Sequence, residues 1–434
     1  MSPAVYRTLT VLCELVSALP VGTNLGLWHV LVALVSGQLL LTRGALIPAL
    51  SALGLRPAAV HRAWQAFAQG DWQIAPLLAA WQRLIRREGR WQTHLHGGYR
   101  PLVIDLSAFF RPRLKDCATK HFDSRVGKAL PAIPLALIAS VGAVAGQRLA
   151  ILRALLRASD DDPSETALQQ QALSEAVRLA AADEVLVVDR GFHLAQLQAA
   201  NAKRYVARGA KNLTARRVQP PPYRGHGRRP TRGLLVRPLP RQRKGKHLAA
   251  SPPDRVEQWS EHGQTLRAEY WFDLVLSNAP ANAATFDIVV IHDPRYAEPL
   301  LLVTTLRLPA VVLRSLYLDR WPIEQLPLAA KQLIGAERQW VWALEARQRL
   351  PELALWAGNI LSYLAATQPA VPTGYWDRNP RRTAGRLRRV LTNADFFHDF
   401  ILPVRMRQKR SVTDQLPKGI SARLCRYEQQ RAST

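Results

Sequence analysis

Residues 317–331 read YLDRWPIEQLPLAAK, which sets Tyr317, Arg320, Glu324 and Lys331 at the spacing Y-x2-R-x3-E-x6-K. Pro322 suits the first turn of a helix, where its missing N–H leaves no bond unmade. The spacing predicts Glu324 one turn inside that helix and Lys331 two turns further along the same face. A phenol, a guanidinium, a carboxylate and an ammonium then share one helical end, a set suited to handling a metal and a phosphodiester together. The same charges also suit the solvated face of an amphipathic helix, so the rest of the chain has to decide.

The chain has 434 residues, more than one hydrophobic core usually supports, and two or three domains are expected. Its formal net charge is +27, with Lys and Arg spread along the whole length. Such a surface repels itself and favours a polyanion, nucleic acid first and an anionic membrane surface second. The most apolar segment, Leu25 to Leu41, is short for a bilayer span and contains His29, Ser36 and Gln38. It predicts a buried helix, so no membrane partner is expected. No basic stretch leads into an A-x-A-like cleavage site, which argues against secretion. Cys13, Cys117 and Cys425 lie far apart without metal-ligand spacing, which fits a reducing cytosol. The expectation is a cytoplasmic, nucleoid-associated protein.

Residues 1–96 read as an all-helical domain. Within it, ALIPALSALGLRPAAVHRAWQAFAQGDW suggests two helices joined at a tight turn near Gly54. Arg62 lies on the second of them, as in a helix-turn-helix that enters a major groove, although helix pairs that merely pack together give the same pattern. Over 97–208 short apolar runs, PLVIDLSAFF, AIPLALIASVG, QRLAILRALL and EVLVVDRGFH, read as strands alternating with a helix at Pro163 to Ala182, an α/β layer structure. Residues 209–298 begin in a basic stretch and continue as alternating segments that read as a β insertion. From Arg204 to Lys246 there are fourteen basic residues and no acidic one, and Pro, Gly and Arg make much of it read as loop. Residues 299–366 return to the core with LLLVTTL and the Glu324 helix, then read as helical after Gly335. Residues 367–434 form a basic tail that includes RNPRRTAGRLRRV and VRMRQKR.

Three acids stand out by position. Asp105 is read as the end of one apolar strand, Asp189 as the end of another, and Glu324 opens a helix. A carboxylate at the end of a buried strand is costly unless it meets a cation or hydrogen-bond donors. Two such strands side by side would bring their acids to one sheet edge. Hard oxygen donors with no His or Cys cluster suit Mg²⁺ or Mn²⁺ rather than Zn²⁺. Each Asp also suits a plain turn or helix cap. Asp116, Asp123, Asp183, Asp287 and Asp293 read as surface or turn residues.

Taken together, VIDLS, VVDRGF, the β insertion, YLDRWPIEQLPLAAK and GAERQ resemble the cut-and-paste insertion-sequence transposases of the DDE class. More narrowly, they resemble the branch with the Tyr-Arg-Glu-Lys signature, over roughly Leu102 to Ala366. The resemblance implies an RNase H-like mixed sheet flanked by helices and interrupted by a β insertion. It implies Asp105, Asp189 and Glu324 as a triad holding Mg²⁺ or Mn²⁺, and Tyr317, Arg320 and Lys331 as contacts to DNA phosphates. Trp321 would help to hold distorted terminal bases. Arg190, Arg338, Lys211, Arg216, Arg217 and Arg62 complete the expected DNA contacts, and the partner is double-stranded DNA bound by a homodimer.

Three features depart from that pattern, one of them the long Pro/Arg-rich piece between Lys211 and Pro253. Pro327 sits inside the signature helix, where proline costs about 3 kcal/mol and kinks the axis. Glu298-Pro299 precedes LLLVTTL, where base-flipping relatives place a Trp; Tyr296, Trp271 and Trp259 are the nearby aromatics that could stand in for it. A domesticated DNA-binding protein without mobility, and a metal-dependent nuclease without strand transfer, are the alternatives.

Overall fold

The computed structural model describes residues 1–115, 117–223, 225–226, 228–243, 245–278, 283–372, 374–396 and 400–407. Asp116, Arg224, Lys244, Cys425 and the 408–434 part of the expected tail lie outside them. The protein is mixed α/β, with mostly antiparallel strands. Its chain divides into two compact units. One comprises Met1–Thr93, Leu106–Leu168 and the chain from Pro322 onward, and the other His94–Asp105 and Gln169–Trp321. The boundaries expected from sequence differ from this division: the N-terminal helices belong to the same unit as the helices beyond Pro322.

In the first unit the helix Thr23–Val35 is buried almost along its whole length, as its mostly apolar sequence requires. The helix Leu344–Thr367 is likewise buried from Ala346 to Ala366 with few breaks, and packs against Thr23–Val35, Pro57–Gln69 and the strands Lys128–Val144 and Gln147–Arg157. Those two strands form an antiparallel hairpin running from Leu135↔Arg157 to Val144↔Gln147. Its turn is the pair Ala145-Gly146, with φ of 46° and 80°. Positive φ at both positions is what a two-residue turn needs to match strand twist, and Gly146 meets it without strain. Buried polar groups are paired here. Asn359 accepts from Trp81 Nε1 at 2.9 Å and from the Leu152 N–H at 3.0 Å, and donates to the Ala150 carbonyl at 2.7 Å. Arg157 binds buried Glu352 through two bonds of 2.6 Å.

The expected helix-turn-helix region is two helices, Leu46–Ser51 and Pro57–Gln69, with Gly54 at φ 77° between them. Trp72 and Trp81 are core residues, whereas Trp64 and Trp91 are only half-buried.

The second unit contains the two parallel pairings of its sheet, followed by antiparallel ones. Arg100–Phe110 runs parallel to Glu184–Val188, which runs parallel to Tyr205–Arg208. Tyr205–Arg208 then pairs antiparallel with Leu300–Thr304, and Leu300–Thr304 with Phe286–His292. Phe286–His292 pairs with Gln264–Leu276, which also carries Arg255–Glu261 and Ala215–Arg217. Glu184–Val188 is buried at every residue, the condition of a strand flanked on both edges and covered on both faces. The basic stretch from Arg204 to Lys246 is less irregular than its composition suggests. It holds the short strands Ala215–Arg217, Leu235–Val236 and Arg241–Arg243, with Lys246–Leu248 starting at its end.

Candidate functional site

The parallel register between Arg100–Phe110 and Glu184–Val188 runs from Arg100↔Glu184 to Ile104↔Val188. Asp105 follows Ile104 within the first strand, and Asp189 is the first residue past the end of the second. Residues opposite each other in a parallel pair sit on neighbouring strands roughly 4.8 Å apart and face the same side. Both carboxylates lie within reach of the Arg320 charge. On the third parallel strand Ala207 lies opposite Val188, so Arg208 falls beside Asp189. The carboxyl ends of parallel strands are the usual ligand-gathering edge of an α/β sheet. Asp105 does not end its strand, as the sequence suggests; the strand continues to Phe110, because LSAFF keeps an extended, mostly buried pattern.

The end of the helix Ala310–Leu318 supplies the partners. Tyr317 donates its hydroxyl to Asp189 Oδ1 at 3.0 Å. Just past the helix, Arg320 Nη1 lies 3.8 Å from Asp105 Oδ2, and Arg208 Nη1 lies 3.9 Å from Asp189 Oδ1. At these distances the guanidinium charges are felt, but no direct hydrogen bond is made. Burial pushes the Asp189 carboxyl up. The Arg190 backbone N–H, the Arg320 charge, the Tyr317 hydroxyl and Arg208 together outweigh it and hold the group below its usual range. Burial and the neighbouring Asp189 charge push the Tyr317 phenol up, so it stays a donor. Two carboxylates whose charge Arg320 and Arg208 offset from 3.8 and 3.9 Å present hard oxygen donors, the kind a divalent cation takes.

Glu324 and Lys331 belong to the other compact unit. Glu324 is half-buried on the short helix Trp321–Leu328, which contains Pro327. The chain then widens into a π-helical turn, Ala329–Ile334, which carries Lys331. Pro327 lacks the N–H that an unbroken α-ladder needs, and π-winding changes the angle per residue. The regular spacing expected to align Lys331 with Glu324 on one α-helical face is thus absent. Lys331 Nζ lies 5.2 Å from the centre of the Phe109 ring. Burial pulls its pKa down, with Glu337 opposing.

In the same unit, a groove of about 520 Å³ is lined by Arg43, Arg111, Arg113, Arg338, Trp340 and Trp342, among others. The segment directly after Gly335 is not helical, contrary to the reading of its sequence; the next helix begins at Leu344. Arg111 explains this. Its buried guanidinium donates to Gln339 Oε1 at 3.0 Å and to the Val341 carbonyl at 2.7 Å, and lies 5.5 Å from the Trp342 ring centre. The Trp340 N–H donates to the Gly44 carbonyl at 3.1 Å. So fastened, the chain leaves Trp340 and Trp342 exposed at 54% and 51%. Two exposed indoles thus stand among arginines, flat apolar faces beside positive charge. The alternation in QWVW is the available signal for an extended segment.

The remaining expected DNA contacts are dispersed. Arg62 and Arg190 are exposed, and Trp321 is exposed at 60%. Lys211 pairs with Glu298. Arg217 binds Asp254 through two bonds of 2.5 and 2.6 Å, and Arg216 donates to the Gly233 carbonyl at 3.1 Å. Those two heads are held within the fold. Of the candidate wedge aromatics, Trp271 is buried with its N–H on the Pro252 carbonyl, Trp259 is half-buried, and Tyr296 is exposed at 65%.

Three acids that read as surface or turn residues are buried instead: Asp123, Asp287 and Asp293. Each has an arginine partner, Arg125, Arg307, or Arg295 with Arg314, which makes burial tolerable. The sequence pattern does not point to His94, His96 and Asp319, yet they converge in the second unit. No protein-family model matches the chain, and no curated protein was found to be similar to it. Among the described residues, no helix is long and apolar enough to cross a membrane.

Proposed function

We propose that the protein is a DNA transposase of the DDE class, built on an RNase H-like core, which cuts DNA at element ends and joins the freed 3′-hydroxyl to target DNA. One observation carries the reading: Asp105 and Asp189 directly follow Ile104 and Val188, the last paired residues of adjacent parallel strands, and Tyr317 and Arg320 of the signature reach these two carboxylates. Chance occurrence of the signature gives no reason for its phenol and guanidinium to meet the DRGF aspartate and the VIDLS aspartate.

In this reading Asp105 and Asp189 would hold a divalent ion; the ligand role of Glu324 rests on the sequence resemblance alone. An ion bound there would supply charge for the reacting phosphate and lower the pKa of the attacking water. Tyr317 fixes the Asp189 carboxylate and keeps it ionised. Arg320 and Arg208 balance the carboxylate charge and supply donors for a phosphate. The groove beside Trp340 and Trp342 takes unpaired bases, and the net charge of +27 supplies general affinity for the duplex. Binding both element ends requires at least a dimer on DNA.

The test is incubation of the protein with the DNA flanking its own gene and Mg²⁺, with nicks and joined products mapped. Nicks with joined products, both lost in Asp189→Asn with DNA binding kept, are expected. Nicks without joining would mark a nuclease, and binding without nicks a DNA-binding protein only.

A further inference from the structure

We propose that His94, His96 and Asp319 form a binding site for one transition-metal ion of the zinc class, separate from the Asp105–Asp189 pair. His94 Nδ1 lies 2.8 Å from Asp319 Oδ2, and His96 Nε2 lies 2.7 Å from the same oxygen. The three donor atoms are all within 4.8 Å of one another. Within this unit, among the described residues, no other trio of His, Cys, Asp or Glu is so close. Asp319 is 3% exposed and both imidazoles are half-buried, so the site is sheltered yet reachable.

The local fold explains the convergence. His96 bridges to Tyr99 across Gly97 and Gly98, whose φ values of 57° and 85° close a tight hairpin. A Cβ on Gly97 would meet Val312 Cγ1 at 3.0 Å, so the hairpin packs directly on the helix Ala310–Leu318. Asp319 caps the C-terminus of that helix. An anion there faces the negative end of the helix dipole, which a cation close by offsets. Two imidazole nitrogens and one carboxylate oxygen, all within 4.8 Å of one another, suit Zn²⁺, Co²⁺ or Ni²⁺ rather than Mg²⁺. Such an ion adds positive charge at the helix end, and three protein ligands leave a coordination position open.

The position gives the site a role. Asp319 is flanked by Tyr317 and Arg320, the two residues that reach Asp189 and Asp105. An ion on Asp319 pins the helix end from which both project. The site does not depend on the transposase reading, because it uses none of the proposed Mg²⁺ ligands.

The test is titration of the metal-stripped full-length protein with Co²⁺, followed by its visible absorption, with Zn²⁺ as competitor. One high-affinity Co²⁺ site per chain is expected, displaced by Zn²⁺, weakened on the order of 100-fold in His96→Gln and unchanged in Asp189→Asn. Gln at 96 can still donate to Asp319, so the variant tests ligation without removing the hydrogen bond. Zn²⁺ should raise the melting temperature of the wild type and not of His96→Gln. Absence of saturable Co²⁺ binding, equal affinity in His96→Gln, or loss of the site in Asp189→Asn would overturn the proposal.

Discussion

Tyr317 and Asp189, 128 positions apart in the chain, are joined by a 3.0 Å hydrogen bond from phenol to carboxylate. The bond ties the signature segment to the strand that carries the DRGF motif. Tyr317→Phe removes it while keeping the ring. A hydrogen bond to a charged group contributes about 1.5–3 kcal/mol, so Mg²⁺-dependent cleavage should fall roughly tenfold or more. The bond also helps to hold the Asp189 pKa down. The acid limb of the pH–rate profile should therefore move to higher pH in the variant.

The two exposed indoles of the arginine-lined groove should serve affinity for unpaired bases. Trp340→Ala and Trp342→Ala are each expected to weaken single-stranded DNA binding by about 1–3 kcal/mol, with the salt slope unchanged. Arg113→Ala should do the opposite, lowering the slope by about 0.7 for each phosphate that the arginine neutralises. Fluorescence anisotropy across a salt series separates the two effects.

Burial in the first unit, helped by the charge of Arg62, lowers the His29 pKa from 6.5 to about 4. Between those values the unfolded chain binds a proton that the folded one refuses. Stability should therefore rise with pH across this window, by ~3 kcal/mol in total, and level off above it. His29→Leu should flatten that part of the curve, as read from urea midpoints between pH 4 and 7.

Asn359 is 1% exposed and serves three partners, Trp81, Leu152 and Ala150. Asn359→Ala strands an indole N–H, a backbone N–H and a carbonyl in the core. A drop in stability of about 3 kcal/mol or more is expected, against well under 1 kcal/mol for an exposed control such as Gln171→Ala. Thermal melts of the two variants give the comparison.

The strands are legible in the sequence because their apolar runs are long and end at turn residues, and LVID and VLVV need only pairing to bring Asp105 and Asp189 together. Tyr317 and Arg320 are legible from spacing. The periodicity of the signature helix misleads, because one proline changes the winding downstream of it. Asp123, Asp287 and Asp293 mislead because an acid near a turn looks solvated until its arginine is seen. His94 and His96 give a weak local signal, since their partner Asp319 is more than two hundred residues away. Arg111 is silent for the same reason: Gln339 and Val341, which it fastens, are 228 and 230 positions on.

The π-turn from Ala329 to Ile334 has a practical consequence for protein engineering. A helical wheel drawn through the whole signature loses phase after Pro327, so surface substitutions chosen from it would land on the wrong flank. Mutagenesis beyond that proline should be numbered from Gly335 backwards, and a one-residue deletion in the turn is the natural way to ask whether the wider winding is required.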